Sequence, residues 1–225
     1  MAIIEPVKKD IQYPQTKKNY SSSLRLWHWA NVIIISGSLL TVLLNSTILS
    51  GNTNARFIKS ALQEKNVNVT IAQAKSVSHA LNDKVWDIHK YFGFGLSAFL
   101  LFRIILEFFQ KADEKFIPKL KSAYTQYQIT KKNRESARHG LAVKSIYMVF
   151  YILLTIMVLT GLFLAFENQL AAFKSIRPKI LAIHSFCMYL VLAFIAVHLA
   201  GVFLAERKDS KGIVSDMING GKEQK

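Results

Sequence analysis

Cysteine is all but missing from this chain: 225 residues contain one, Cys187. An internal disulfide is therefore impossible, a cysteine-based metal centre is excluded, and so is covalent haem attachment through C-x-x-C-H. Cys187 itself lies in an apolar run and reads as a small apolar filler. Acidic residues are scarce, 14 against 29 Lys and Arg, for a formal net charge of +15. Charge of either sign is absent from residues 26–49, 145–166 and 180–205, and residues 91–109 carry only Arg103 and Glu107. Internal repeats and low-complexity tracts are also lacking.

What is present is hydrophobicity, 51% of the chain, gathered into those four blocks. A soluble core would spread it more evenly, and each block is long enough to cross a bilayer. The expectation is an all-α integral membrane protein, a four-helix bundle forming one membrane domain over 1–225. Its spans fall at about 26–49, 89–109, 145–166 and 180–205. The first run lies too far into the chain and is too long for the core of a signal peptide, and it lacks a small-residue cleavage pattern, so it reads as a retained span.

With four spans, the basic clusters share one side. They are the N-terminal arm (Lys8, Lys9, Lys17, Lys18, Arg25), the loop 110–144 and the tail 206–225. The positive-inside rule puts all three, and both termini, in the cytoplasm of a bacterial inner membrane. That topology accounts for the +15 without nucleic acid as a partner. Trp27 and Trp29 fit an interfacial aromatic belt. The outside loop 50–88 contains an amphipathic pattern over 67–86, suited to the membrane surface, to a partner, or to a plain connector helix. Short helices are expected at 117–127 and 212–220, the latter stopped by Gly220 and Gly221.

Histidine carries the chemistry. His184 and His198 lie fourteen residues apart in the last span. At 100° per residue they share a helix face, separated by roughly 21 Å along the axis. Ionisable groups at such depths are costly and point to a functional site. The topology matches them in depth with two others: His28 with His198 inside, His89 with His184 outside. Each pair comes from two helices, as a ligand clamped between helices requires. Haem iron takes axial imidazoles from both faces. Zinc would want three or four ligands, and no such set is available at either depth. A proton relay would favour carboxylates between the histidines, and the middle of the membrane has none.

Arg103, fourteen residues after His89, and Arg25, just before His28, are candidate partners for haem propionates. Glu107, one turn beyond Arg103, is the competing partner there, and an interfacial role competes at Arg25. His79 reads as a surface residue. His139 is placed behind the inside site rather than in it.

These residues fall in segments that resemble the prokaryotic cytochrome b561 and nickel–iron hydrogenase b-type cytochrome family. The segments are RLWHW (25–29), VWDIHKYFG (85–93), LLFRI (100–104), LTGLFLAF (159–166), HSFCMYLVLAFIAVH (184–198) and VSDMINGGK (214–222). The resemblance implies a four-helix membrane protein with two non-covalent b haems, ligated by His28, His198, His89 and His184. It also implies electron transfer between a partner and the quinone pool. The expected function is a membrane-anchor subunit of a larger oxidoreductase, served by a hydrogenase- or dehydrogenase-like subunit or a cytochrome. The alternatives are a stand-alone quinone-linked oxidoreductase with a small diffusible donor or acceptor, and a non-redox membrane anchor. The stretch PKILAIH (178–184) lacks the extra His and acidic residues of hydrogenase-type members, and the outside loop is unusual; both leave the partner open.

Overall fold

A computed structural model describes residues 22–109, 116–129, 134–207 and 212–220. The arm 1–21 and the basic residues Lys111, Lys115, Lys131, Lys132, Lys208 and Lys211 lie outside these, as do Gly221 and Lys222. Seven α-helices occur among the described residues, with no strand: α1 (Ser22–Ser46), α2 (Gly51–Gln63), α3 (Ile71–Phe109), α4 (Phe116–Ile129), α5 (Arg134–Ala165), α6 (Arg177–Arg207) and α7 (Ile213–Asn219). A short 3₁₀ turn, Ala171–Ile176, leads into α6, and Arg177 forms an ion pair there with Glu167. The long helices α1, α3, α5 and α6 contain the four segments long and apolar enough to span a membrane.

The packing is that of a protein solvated by lipid. Leu26, Ile33, Phe108 and Phe109 are 67–84% exposed, while Asn31, Thr41, Asn45 and Thr160 are buried. Water would reverse that distribution; hydrocarbon favours it, because buried polar groups can then pair inside the bundle. Cys187 is buried, as expected of a filler.

At 39 residues, α3 runs for roughly 58 Å, about twice the hydrocarbon thickness. The segment expected to be a separate amphipathic helix is the front half of this element. A capping box fixes its start: Thr70 N–H donates to Gln73 Oε1 at 2.8 Å, and Gln73 N–H donates to Thr70 Oγ1 at 3.2 Å. No Pro and no Gly interrupts the helix from there to Gly93. α2 packs antiparallel on this front half, where Asn54 Nδ2 donates to the fully buried Ser78 Oγ at 3.2 Å, beside buried Ala55 and Ala74. Asn66, at φ 58°, turns the chain between the two helices.

The chain divides into two compact units. In the larger, Trp27–His198, α3 packs on α2 and α5, and α5 on α4. Glu107 accepts the first N–H of α4, from Phe116, and so caps it from the end of α3. The smaller unit joins the described parts of 1–26 and 199–225. There Glu206 caps α7 through the N–H groups of Gly212 (2.7 Å) and Val214 (3.3 Å). Arg25 Nη1 donates to Ile218 O at 2.7 Å. Gly220 closes α7 at φ +91°, a backbone conformation that favours glycine, and a Cβ there would sit 3.0 Å from the Arg25 guanidinium carbon and displace it slightly.

Candidate functional site

The four intramembrane histidines meet in the pairs that their depths predict. His28 of α1 faces His198 of α6 with ring centroids 6.4 Å apart. His89 of α3 faces His184 of α6, also at 6.4 Å. Both pairs lie inside the larger unit, joined by α6, which holds one member of each about 21 Å apart along its axis. All four side chains are half-buried.

The two pairs differ in what surrounds them. At His89, Thr41 Oγ1 lies 2.9 Å from Nδ1 and Ser38 O 3.3 Å from it. At His184, Thr160 Oγ1 lies 2.9 Å from Nδ1. Gly161, next along α5, leaves only 3.2 Å between the place of a Cβ and His184 Cε1. Gly37 similarly admits the Phe92 ring, which a Cβ would overlap. At the other pair, His28 Nδ1 is buried with no hydrogen-bond partner. His198 stacks on Phe194 (5.8 Å, 8° between planes), which stacks in turn on Phe150 (4.2 Å, 16°).

Beside the His28 pair lies a pocket of about 400 Å³ between α3, α4 and α5. Its walls are apolar, among them Leu100, Ile104, Phe116 and Ile152. One corner is polar. Arg103 Nε donates to Tyr151 Oη at 3.3 Å, and Arg103 Nη1 lies 3.1 Å from Glu107 Oε2. That ion pair is close but lacks hydrogen-bond alignment, so Nη1 still has no hydrogen-bond acceptor. Trp27, adjacent to His28, connects pocket and pair by packing on Tyr151 at 5.7 Å.

Of the residues singled out in sequence, the histidines are thus brought together pairwise. Arg103 is found with Glu107 and Tyr151, the competing arrangement noted above. Arg25 is engaged by Ile218 and Ser22 in the smaller unit. His79 and His139 are exposed. Sequence reasoning did not single out Ser38, Thr41, Thr160 or Tyr151. A hydroxyl in an apolar span was the available signal, but a helical register does not say which neighbour a hydroxyl meets.

Four lipid-solvated helices that bring intramembrane imidazoles together in pairs define a helical-bundle membrane protein with polar groups of functional interest between its helices. A family model, prokaryotic cytochrome b561, matches residues 19–220, and the chain belongs to that family. It is a membrane b-type cytochrome, an electron-transfer protein of a family that binds b haem. No curated protein and no solved structure matches the chain.

The residues fit the haem that the family implies. Metal–imidazole bonds are about 2 Å, so an ion held by two facing rings sets their centroids about 6 Å apart. Both pairs lie close to that distance. One turn beyond His89, a Cβ on Gly93 would meet nothing within 4 Å. Among the described residues, no cluster of three or more His, Cys, Asp or Glu offers a rival site for a bare metal ion.

Proposed function

We propose that this cytochrome holds two b haems, one between His28 and His198 and one between His89 and His184, and carries electrons along the axis of α6. The observation that supports this most directly is the repeated 6.4 Å spacing of imidazole pairs from different helices. When bound, haem supplies the one-electron chemistry; the protein supplies ligands, a low-dielectric surround and access.

The pocket beside Trp27 and Tyr151 suits a quinone head group. Its apolar walls match a ring and isoprenoid chain. Its corner offers a guanidinium, a carboxylate and a phenol to the two ring oxygens, which take up or release protons when the quinone changes redox state. By the positive-inside rule this end faces the cytoplasm, with both termini. A redox partner subunit then docks at the opposite end, where α2 and the front of α3 project. The chain serves as the membrane-anchor subunit of that larger oxidoreductase.

The test is haem stoichiometry. The purified protein should carry two haems per chain, with a b-type α band on reduction. His28→Ala or His198→Ala should each leave one, as should His89→Ala or His184→Ala, and the survivors of the two sets should differ in spectrum. A reduced protein without that band, or four variants that all keep both haems, would defeat the proposal.

A further inference from the structure

The hydroxyls around the His89–His184 pair fix more than position. Thr41 Oγ1 lies 2.5 Å from Ser38 O, a carbonyl that can only accept, so the single hydroxyl proton goes there. The 2.9 Å contact with His89 must then be supplied with a proton by Nδ1. Ser38 O, 3.3 Å from the same nitrogen, can only accept and supports the same assignment; Ser38 Oγ, also 3.3 Å away, is a longer contact than that of Thr41 and can accept as well. The second imidazole repeats this logic from other helices. Thr160 Oγ1 donates to Ile156 O at 2.6 Å, so its 2.9 Å contact with His184 Nδ1 is one in which Nδ1 donates. Both threonines are buried, at 5% and 8% exposure, so water does not compete for these bonds.

We propose that Thr41 and Thr160 are positioning residues. They hold His89 and His184 as Nδ1–H tautomers with both Nε2 lone pairs free for one iron, and they make this the lower-potential of the two haem sites. An imidazole that donates from Nδ1 is a more basic ligand and stabilises ferric over ferrous iron. The other pair has no such support. His28 Nδ1 is buried without a partner, and His198 is held by stacking on Phe194, with no hydrogen bond among the described residues. The asymmetry gives the electron path a direction: electrons come to rest at the His28–His198 end, beside the Arg103–Tyr151 pocket. This inference rests on the two-haem reading above.

Thr41→Val and Thr160→Val remove each hydroxyl with little change of shape, and Thr41→Ser and Thr160→Ser keep it. In a redox titration of the full-length protein, each Val variant should raise one midpoint potential, the one that disappears in His89→Ala. The other should stay put, and the Ser variants should restore both. A tenfold loss of ferric preference corresponds to about 59 mV for one electron. Nitrogen-15 NMR of histidine-labelled, haem-free protein reads the tautomers directly, with Nδ1–H expected at His89 and His184 and its population reduced in the Val variants. Unchanged potentials in both Val variants, or Nε2–H tautomers in the haem-free protein, would overturn the inference. A wild-type protein that binds no haem refutes the two-haem reading instead, and the tautomer measurement still decides the role of the threonines.

Discussion

If His184 ligates a haem as proposed, replacing Gly161 by alanine should weaken that haem site while leaving the helix that carries it intact. The added Cβ would lie 3.2 Å from His184 Cε1 and 3.8 Å from Nδ1. Carbon atoms prefer about 3.5–4.0 Å, so the ring must retreat by roughly 0.3–0.8 Å. Cε1 is bonded to both ring nitrogens, so the push moves the Nε2 lone pair and stretches the 2.9 Å bond to Thr160 at the same time. Binding sites tolerate displacements of about 0.5 Å before function suffers. Disturbing a ligand's supporting hydrogen bond costs on the order of 10–100-fold in affinity, or about 1.4–2.8 kcal/mol. The helix itself gains, because alanine in its interior is favoured over glycine by roughly 1 kcal/mol. The signature is therefore a split: the thermal midpoint of the haem-free protein holds or rises, while haem per chain falls from two toward one. Gly140→Ala on the same helix is the control, since its Cβ would meet nothing within 4 Å, and it should keep both haems. A Gly161→Ala protein with two haems at wild-type affinity and potentials would refute the placement of His184 against α5.

Two further outcomes follow from other parts of the structure. Tyr151→Phe removes the hydroxyl that accepts from Arg103 at 3.3 Å and that the proposed quinone site offers to a ring oxygen; a hydrogen bond between neutral groups is about 0.5–1.5 kcal/mol, so the KM for a quinol substrate should rise roughly two- to tenfold with haem content unchanged. An unchanged KM would remove Tyr151 from the quinone site. Ser78→Ala strands Asn54 Nδ2 in a buried setting at a cost of about 1–3 kcal/mol; amide exchange across α2 should speed up markedly while haem content stays at the wild-type level. Equal exchange rates would mean that α2 is held by its apolar contacts alone.

The membrane spans were legible in the sequence because hydrocarbon imposes one stringent rule. A helix of about 20 residues must carry almost no charge, and such runs are visible without any knowledge of packing. The histidine pairs were legible for a related reason. Alternating the direction of four spans converts sequence position into depth, and matched depth is most of what two facing ligands need. The ends of the helices were harder to see. The second apolar block stops near Tyr91, yet α3 continues back to Ile71, because charge on the solvent-exposed part of a helix does not end it. Only the Thr70–Gln73 capping box does, and its T-x-x-Q spacing was present in the sequence but outside the apolar pattern that guided the reading.

The rest of the site was hidden because it depends on rotation about helix axes. Whether Arg103 meets a haem propionate or Glu107 is not decided by its place on α3, since both lie within reach of a long side chain. In the structure its neighbours are Glu107, one turn along the same helix, and Tyr151 of α5, with Glu107 also capping α4. Thr41 and Thr160 pose the same problem more sharply. Each satisfies its own helix by bonding back to a carbonyl, an arrangement any buried threonine can adopt without a functional role. What would give them one is a second contact, across a helix interface, to an imidazole nitrogen. Depth can be read along one helix, but tautomer requires two helices in register.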